Sequence, residues 1–490
     1  MKYSLDTLQF SNSFAALPGD FYSRVAPTPF ETPARLLHFN TQAAQLLDLD
    51  PAVQHDPRCA DVFSGKHALP GADPLAMLYA GHQFGHYVPQ LGDGRAIILG
   101  EMINTRNEGW EIQLKGSGQT PYSRQGDGRA VLRSSIREYL CSEAMHSLGI
   151  PSTRALCLVD SSDAIYRENV ETGAIVTRLA PSHVRFGSFE IFFYRDQHEH
   201  TRTLADYVIT RHYPELADQA DRYLALLHSV IERTARLIAQ WQAVGFSHGV
   251  MNSDNMSILG LTLDYGPFGF MESYNPGFIC NHSDHHGRYA YDQQPRIGLF
   301  NLSCLAQALL PLIEVEAAKA ALEGYQAIYT AHYHQLMAAK LGFAHADDAV
   351  LQLTETLLAQ MQKSQTDYTQ LFRTLCQVEC NNDEIVPALR DRFIERDYFD
   401  RWLSDYRVHL RSHAHADTQR RAAMLRINPK IVLRNHLAQI AIEKAERGDY
   451  TEIGQLLTVL QAPFDEHPQF PHYAQPAPEG ARHLEVSCSS

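Results

Sequence analysis

The chain has 490 residues, of which 44% are hydrophobic and 20% are charged, and its formal net charge is −14. The composition is typical of a globular protein, and the length allows two or three domains or one large enzyme with an added subdomain. The negative charge argues against a surface built to wrap nucleic acid, and no apolar run approaches the roughly 18 residues of a membrane span. We therefore expect no nucleic-acid partner and no membrane partner.

The start of the chain and the cysteines both favour the cytoplasm. Residues 1–10 include an acidic residue and no apolar core, unlike a secretory signal. The eight cysteines are scattered along the chain, whereas a disulfide scaffold concentrates them. We expect a cytoplasmic protein, and we expect it to be a monomer.

Residues 1–80 are expected to form an N-terminal extension packed on the core. Prolines and short mixed apolar runs fill residues 1–75, and this composition is typical of a segment that drapes over a domain. Within it, residues 36–47 predict one short helix.

A glycine-rich stretch follows at residues 81–128. Two β-like runs, residues 96–99 and 110–114, flank a turn at residues 104–109, and this pattern predicts a hairpin. Neither the dinucleotide-binding nor the P-loop glycine motif is present, so Rossmann and P-loop nucleotide sites are disfavoured.

Gly92 and Gly94 form a turn before the first of these strands, and Lys115 ends the second. Backbone N–H groups in such a turn can approach a phosphate, although a Gly-x-Gly pair is equally typical of a tight bend. Residues 130–148 predict a helix, whose Glu138 either pairs with Lys115 or is a solvated carboxylate. A glycine turn followed by a Lys-bearing strand is the order found in protein kinases.

Two arginines stand where the lobes of a kinase would meet. Strands are predicted at residues 155–159 and 174–179, around a turn at residues 171–173. The guanidinium groups of Arg178 and Arg185 suit bidentate phosphate binding. Structural pairing with acidic residues is the alternative role for both.

Residues 221–244 predict a long amphipathic helix, and the stretch 248–266 follows it closely. In that stretch a His-led turn ends in Asp254 and Asn255, and Asp264 opens an Asp-x-Gly sequence. Protein kinases hold Mg²⁺ against nucleotide phosphates with an amide and a carboxylate at this spacing, since Mg²⁺ prefers hard oxygen ligands. Asn255 and Asp264 fit those two roles.

One position of this stretch departs from the kinase pattern. If His248 and Asn255 align with the kinase His and Asn, the catalytic Asp falls on Val250, which cannot accept a proton. A standard kinase mechanism is therefore not expected. An ordinary turn is the alternative for the stretch, because Asp, Asn and Gly all favour turns.

The rest of the chain predicts helices and a tail. Residues 281–291 hold three His and an Asp, and a metal site there is conceivable although the spacing matches no helical ligand pair. Helices are predicted from residue 303 to about residue 460, with breaks near residues 342–348, 381–383 and 412–417. The residues from 462 onward are rich in Pro and His and predict an extended tail.

Several long motifs occur in this order along the chain: Gln90-Leu-Gly-Asp-Gly-Arg95, Gln113-Leu-Lys-Gly-Ser-Gly118, Arg124-Gln-Gly-Asp-Gly-Arg129, His248-Gly-Val-Met-Asn-Ser-Asp-Asn255 and Leu263-Asp-Tyr-Gly-Pro-Phe268. Together they closely resemble the selenoprotein O family over essentially the whole chain. The resemblance implies a protein-kinase-like fold and a protein adenylyltransferase activity. In that family ATP sits inverted relative to a kinase, so that AMP is transferred.

The resemblance also implies a role for each candidate site residue. It implies that ATP is bound by Gly92, Gly94, Arg95, Lys115, Asp127, Gly128, Arg178, Arg185 and Asp264, with Glu138 anchoring Lys115. It implies that Asn255 and Asp264 bind Mg²⁺, with Mn²⁺ possible, and that Asp254 is the catalytic proton acceptor. With the phosphates reversed, a kinase base would face the wrong phosphate, which accounts for Val250.

The fold class expected is α+β, as a kinase-like two-lobe fold with an N-terminal extension and a large helical C-terminal region. The expected segments after the extension are a small lobe at 81–185, a large lobe at 186–300, a helical region at 301–461 and a tail at 462–490. The expected activity is transfer of AMP from ATP to Ser, Thr or Tyr hydroxyls of other proteins. Mn²⁺-dependent UMP transfer and a catalytically dead ATP-binding scaffold are the alternatives.

The resemblance draws attention to Cys488, because selenium-containing relatives carry selenocysteine third from the end of the chain. Cys488 looks like the ordinary-sulfur counterpart of that residue. Cys280 precedes the His-rich loop soon after Asp264. We hypothesise a reversible disulfide between Cys280 and Cys488 that restrains activity until it is reduced.

Overall fold

The computed structural model describes residues 2–382, 384–412, 416–481 and 484. The strands are β1 (Tyr22–Arg24), β2 (Arg35–Phe39), β3 (Leu75–Met77), β4 (Gly81–Gln83), β5 (His86–Val88), β6 (Ala96–Ile103), β7 (Gly109–Lys115), β8 (Ala130–Val131), β9 (Arg154–Tyr166), β10 (Val170–Ala180), β11 (Phe246–Ser247) and β12 (Gly269–Phe270). The α-helices are α1 (Thr41–Ala44), α2 (Cys59–Phe63), α3 (Leu132–Ser147), α4 (Gly187–Tyr194), α5 (His198–His212), α6 (Arg222–Val244), α7 (Gln294–Leu309), α8 (Val315–Lys340), α9 (Asp348–Ser364), α10 (Tyr368–Leu375), α11 (Pro387–Arg390), α12 (Arg396–Ser412), α13 (Asp417–Leu425), α14 (Asn435–Glu446) and α15 (Thr451–Leu460). In the described ranges, no helix is long and apolar enough to cross a membrane.

One antiparallel sheet organises the first 180 residues. Its strand order is β1-β3-β6-β7-β10-β9-β2, and β8 pairs with β10. Strands β6 and β7 form the predicted hairpin. Gln113 on β7 lies opposite Arg178 on β10. Because residues two apart on a strand share a face, Lys115 and Arg178 project from the same side of the sheet.

The two faces of the sheet are covered by different parts of the chain. Helix α3 packs across β9 and β10 on one face. The N-terminal residues cover the other face, where they form a separate core cluster with apolar residues of β7, β9 and β10. Strand β10 shows the alternation, since Val176 belongs to the core cluster of α3 and Ile175 to the N-terminal cluster.

The prediction of one helix over residues 36–47 is wrong in its first half. Residues 35–39 form β2, which pairs with β9 at the edge of the sheet, and only residues 41–44 form a short α-helix. The side chain of Asn40 separates the two elements, because it accepts hydrogen bonds from the backbone N–H groups of Gln42 and Ala43 as an N-cap. The N-terminal segment therefore contributes strands to the sheet in addition to covering it.

The predicted turn at residues 171–173 is also misplaced. Strand β10 begins at Val170, so these residues lie inside it, and the chain reverses at residues 167–169. The pairing of β10 with β9 shifts register between Thr172 and Ala174, and a Cβ on Gly173 would lie 2.8 Å from the Phe30 ring. Gly173 thus marks an irregularity in the strand where another segment packs closely, which is a common role of glycine inside a strand.

The predicted long helix is confirmed as α6, which ends at Gly245. That residue has a φ of 78°, and its N–H donates to the carbonyls of Trp241 and Gln242, a typical glycine helix stop. Helix α6 packs against α7 and α8, and the 248–266 loop follows directly. The predicted breaks near 342–348, 381–383 and 412–417 fall between helices, although residues 383 and 413–415 lie outside the described residues. Helices α14 and α15 return to pack on α3.

Candidate active site

Lys115 and Glu138 form a buried ion pair. Lys115 is the last residue of β7, and its Nζ lies 2.5 Å from Oε2 of Glu138 on α3. Burial lowers the pKa of the Lys115 amine, and the carboxylates of Glu138 and Asp264 oppose this effect. The predicted pair is confirmed, and the alternative of a solvated Glu138 is wrong, since this residue is only 2% exposed.

Three cations surround the carboxylate of Asp264. Its Oδ1 lies 2.6 Å from Arg178 Nη1 and 3.6 Å from Lys115 Nζ, and its Oδ2 lies 2.5 Å from Arg185 Nη1. Burial acts to raise the pKa of Asp264, but these three cations outweigh burial and hold the pKa well below its usual value. Asp264 is therefore ionised. Its φ of 58° is uncommon for a residue other than glycine, so the surroundings must fix this conformation.

Arg178 connects the two acidic residues of this cluster. Its Nη1 lies 3.1 Å from Oε1 of Glu138 as well as close to Asp264, and its Nε donates to Oε1 of Gln113 at 2.9 Å. Arg185 donates to the backbone carbonyl of Asp254 at 2.8 Å. The structural pairing with acidic residues that the sequence left open is therefore present for both arginines.

These ion pairs leave the site with an excess of positive charge. Lys115, Arg178 and Arg185, together with Arg95 at the wall of the same cavity, face the carboxylates of Glu138 and Asp264. A buried group of cations that outnumbers its carboxylates attracts a polyanion, and guanidinium groups bind phosphate oxygens well. The geometry is compatible with phosphate binding as well as with structural pairing.

The loop after α6 brings Asp254 and Asn255 to the opposite wall of the cavity. Both lie in a short 3₁₀ helix, Ser253–Asn255. The Nδ2 of Asn255 donates to the carbonyl of Val250 at 3.0 Å, so the side-chain oxygen is the end that faces a ligand. Val250 is a buried apolar residue at 9% exposure, and it carries the backbone acceptor for this contact.

Asp254 is an acid with an incomplete set of hydrogen bonds. Its Oδ2 accepts a hydrogen bond from Nε2 of Gln83 at 3.1 Å, whereas its buried Oδ1 has no hydrogen-bond partner within the described residues. Burial raises the pKa of Asp254 to about 7, while the Gln83 hydrogen bond and the Arg185 charge act to lower it. A carboxyl group with this pKa accepts or releases a proton near neutral pH.

Two glycine-dependent turns close the cavity on the side of the sheet. Gly92 has a φ of 125°, and a Cβ there would lie 2.5 Å from the Tyr122 ring. Gly128 has a φ of 68°, and a Cβ there would lie 2.1 Å from the carbonyl oxygen of Gly118. Asp127, next to it, is held by Arg167 at 2.8 Å. Side chains larger than glycine do not fit either position without movement of the backbone.

All the candidate site residues border one cavity of about 550 Å³. The residues in question are Gly92, Gly94, Arg95, Lys115, Asp127, Gly128, Glu138, Arg178, Arg185, Asp254, Asn255 and Asp264. A cavity of this size holds a nucleotide-sized ligand. The structure thus brings together residues that are up to 172 positions apart in the sequence, from Gly92 to Asp264.

Sequence reasoning missed several residues that organise this cavity. Gln83 contacts Asp254, Gln113 binds Arg178, and the Tyr79 ring lies 4.7 Å from the Arg185 guanidinium. Gln83 stands in the glycine-bounded run Gly81-His-Gln-Phe-Gly-His, and Gln113 opens one of the motifs that carry the family resemblance, but we assigned neither residue a role. Their contacts, and that of Tyr79, depend on tertiary pairing.

His248 and Cys280, at or near the 248–266 loop, make contacts within the fold. His248 is buried, and its Nε2 lies 3.0 Å from the carbonyl of Leu263, which ties the two ends of the loop together. Cys280 is also buried, with its Sγ 3.5 Å from Oγ of Ser247. Cys488 lies outside the described residues, so its pairing with Cys280 stays a prediction.

The comparison with known proteins gives a consistent result. The family described as protein adenylyltransferase SelO matches residues 4–461. A protein from Myxococcus xanthus is 54% identical over 487 residues, covering 99% of this chain and all of that relative. A protein from Thiobacillus denitrificans is 56% identical over 488 residues, with 99% and 100% coverage. Both relatives are named protein nucleotidyltransferase YdiU.

These similarities show that the protein is an enzyme of the nucleotidyltransferase class. The chain belongs to the protein adenylyltransferase SelO family. The resemblance to the selenoprotein O family that the motifs indicated is thereby confirmed.

Proposed function

We propose that the enzyme transfers AMP from ATP to Ser, Thr or Tyr hydroxyls of other proteins. One observation carries the proposal: an acid with a pKa near neutrality, Asp254, faces the same cavity as the cation cluster around Asp264, while the kinase base position is Val250. The family description and the names of the relatives support nucleotidyl transfer to protein.

In this proposal the nucleotide occupies the cavity of about 550 Å³. Lys115, Arg178 and Arg185, with Arg95, bind the phosphates by charge-assisted hydrogen bonds. The turns at Gly92 and Gly94 and at Asp127 and Gly128 let the backbone approach the nucleotide. Glu138 holds Lys115 in place, as their 2.5 Å contact supports.

Asn255 and Asp264 fit a divalent cation by the chemistry of their donors. The Asn255 amide nitrogen is already committed, which leaves an oxygen, and Asp264 is ionised with further lone pairs on both oxygens. Mg²⁺ prefers such hard oxygen ligands, and Mn²⁺ accepts them too. When bound, the cation neutralises negative charge on the phosphates.

Asp254 is the proton acceptor in the proposed reaction. The acceptor hydroxyl gives its proton to the Asp254 carboxylate, its oxygen forms a bond to the α-phosphorus of ATP, and the bond to the leaving pyrophosphate breaks. The pKa of about 7 permits this role near neutral pH. Arg185, which donates to the Asp254 backbone carbonyl, links this residue to the phosphate-binding side.

We also propose that the architecture is the two-lobe arrangement of kinases. Residues 81–185 would be the small lobe, residues 186–300 the large lobe, residues 301–461 a helical addition and residues 462–490 a tail. The sheet with α3 and the Lys115–Glu138 pair supports the first assignment. The strands that residues 1–80 add to the sheet make the N-terminal extension part of the same layer.

Parallel labelling with α-³²P-ATP and γ-³²P-ATP tests the proposal. We expect label on protein from the α-phosphate alone. Label from the γ-phosphate alone would mean a kinase, and label from neither would favour an ATP-binding scaffold. A third reaction with α-³²P-UTP and Mn²⁺ separates AMP transfer from UMP transfer, the alternative that the name nucleotidyltransferase leaves open.

A further inference from the structure

A second cluster of titratable side chains lies behind the hairpin formed by β4 and β5. Within the described residues, His82, Glu190 and Cys304 place one potential metal-ligand atom each within 4.8 Å of the others. His82 belongs to β4, Glu190 to α4 and Cys304 to α7. Adjacent residues of a strand point to opposite faces, so His82 points away from Gln83 and from the nucleotide cavity. The cluster is therefore a separate site.

His82 and Glu190 are held in place by contacts within the fold. Nδ1 of His82 lies 2.5 Å from Oε2 of Glu190. Glu190 is 0% exposed and Cys304 is 7% exposed, while the His82 side chain is 13% exposed and gives the cluster an edge toward solvent. Aromatic rings of Tyr87 and Phe300 lie 5.3 Å and 5.8 Å from the His82 ring and restrict its rotation.

Glu190 provides an independent sign that the cluster takes a ligand. Its Oε1 is fully buried and has no hydrogen-bond partner in the ranges that the structure describes. A buried carboxylate oxygen without a partner is costly, and most such groups in proteins are satisfied by a donor, a water or an ion. A cation bound between Glu190, His82 and Cys304 would satisfy it.

The donor set selects the kind of cation. An imidazole, a thiolate and a carboxylate are typical ligands of zinc, whereas Mg²⁺ and Ca²⁺ prefer oxygen ligands alone. One Zn²⁺ with a thiolate and a carboxylate is electrically neutral, which suits a largely buried site. Binding would release the thiol proton of Cys304 to solvent.

We propose that His82, Glu190 and Cys304 bind a zinc ion that fastens the β4–β5 hairpin to helices α4 and α7, with water as a fourth ligand. Donor atoms on one tetrahedral zinc ion lie about 3.3–3.7 Å apart. His82 and Glu190 would separate slightly from their 2.5 Å contact, and Cys304 would approach.

The position of the hairpin makes this site relevant to the loop that carries Asp254. The N–H of His82 donates to Oγ of Ser253 at 2.7 Å, and the N–H of Phe84 donates to Oδ1 of Asn252 at 3.2 Å. Gly81 also lies against Asp254, where a Cβ would be 2.7 Å from Oδ1. A zinc ion on His82 would therefore hold the β4–β5 hairpin against this loop, acting from the face of the hairpin that points away from the nucleotide cavity.

Metal content and a cobalt spectrum test the proposal on the full-length protein. The protein is stripped with a chelator, dialysed against Zn²⁺ with excess Mg²⁺ to occupy oxygen-ligand sites, and analysed by mass spectrometry of the metal. We expect one zinc ion per chain. With Co²⁺ in place of Zn²⁺, we expect a thiolate-to-cobalt charge-transfer band, because a sulfur ligand is present.

Matched variants assign the site. Cys304→Ser and Glu190→Gln should lower zinc affinity at least tenfold, and Cys304→Ser should remove the cobalt band. Cys376→Ser, at another buried cysteine, and His86→Asn, at an exposed histidine of the same hairpin, should keep both signals. A wild-type protein without tight zinc, a cobalt spectrum without the thiolate band, or zinc binding unchanged in Cys304→Ser would each overturn the proposal.

Hydrogen exchange tests the fastening role without an activity assay. It uses the wild-type protein alone, so it does not depend on whether a variant folds. In the wild-type protein, removal of zinc should raise amide exchange in residues 81–88 and in the 248–255 loop, while the β6–β7 hairpin stays unchanged. Equal exchange in the stripped and loaded protein would contradict the proposed fastening role. A wild-type protein that binds zinc as expected but transfers no AMP would count against the proposed function and not against the zinc site.

Discussion

The two walls of the cavity that we propose for the nucleotide differ in how completely their polar groups are paired. On the sheet side, Lys115 and Arg178 both form ion pairs with Asp264, and the pKa of Asp264 is held well below its usual value. On the loop side, Asp254 has one oxygen without a partner and a pKa raised to about 7. The same residue type is thus ionised at Asp264, whereas the pKa of Asp254 lies near neutrality.

This difference separates two tasks. A preorganised set of charges stabilises a polyanion without reorganisation when it binds, and it works at any pH near neutrality. An acid whose pKa lies near the working pH can exchange a proton, but its charge depends on pH. Variants of the sheet wall should therefore act on activity independently of pH, and variants of the loop wall should change the pH profile.

The largest effect is expected from Asp264→Ala. It removes the carboxylate that pairs with three cations and that we propose as a metal ligand, so transfer should fall by at least about 10³-fold at every pH. The measurement is the initial rate of labelling from α-³²P-ATP. Asp264→Asn, which keeps the size of the side chain, controls for misfolding through its thermal unfolding midpoint. Activity near wild type in a folded variant would refute the metal role.

Lys115→Ala should lower transfer by about 10²–10³-fold while the protein stays folded. Glu138 keeps a cationic partner in this variant, because Arg178 lies 3.1 Å from its other oxygen. The labelling rate and the far-ultraviolet circular dichroism spectrum are measured together. If the variant does not fold, Lys115 has a structural role and its assignment as a phosphate ligand is wrong.

Asp254→Asn should reduce transfer by about 10²-fold and remove the dependence of the rate on a group with a pKa near 7. In the wild type we expect the rate to rise as pH increases through about 7, because the carboxylate is the active form. A variant that keeps the wild-type pH profile would show that another group titrates.

The same substitution should stabilise the fold at neutral pH. The folded-state pKa of Asp254 is raised from 3.8 to about 7, so the folded protein holds a proton that the unfolded chain has lost in this interval. Stability from this group is therefore highest below pH 4 and is lost as pH rises toward 7. The unfolding midpoint of Asp254→Asn should exceed that of the wild type at pH 7 and equal it near pH 4.

Glu138→Gln should be milder, with a loss of about tenfold. Lys115 then loses its 2.5 Å ion pair but keeps Asp264 at 3.6 Å, so the amine stays near the proposed phosphate site. The ion pair becomes a hydrogen bond from the charged amine to a neutral amide oxygen, which is weaker by roughly 1–2 kcal/mol. The ratio of KM to kcat effects distinguishes lost ATP binding from lost turnover, and a loss equal to that of Lys115→Ala would contradict this ranking.

The sequence predicted those features that depend on nearby residues and missed those that depend on residues far apart in the chain. The Lys115 strand, the Glu138 helix and the α6 helix rest on residue periodicity and turn chemistry, and all three are confirmed. The β2 strand was missed because its apolar residues lie on an edge strand whose partner, β9, is more than 100 residues away. The His82, Glu190 and Cys304 cluster had no signal for the same reason, while the His-rich run at 281–291 drew attention to another place.

The smallest effect is expected from Gln83→Leu. This substitution lies next to the loop that carries Asp254. Gln83 donates the hydrogen bond to Asp254 Oδ2 at 3.1 Å, and this bond acts to lower the pKa of the acid. Its loss should raise the pKa by about 0.7, as expected for one hydrogen bond worth about 1 kcal/mol, and so reduce transfer at pH 7 by about threefold. At higher pH, where Asp254 is ionised in both proteins, the rates should converge. Gln90→Leu, on the exposed segment after the hairpin, is the matched control, and a deficit in Gln83→Leu that is equal at all pH values would show that Gln83 acts on substrate binding and not through Asp254.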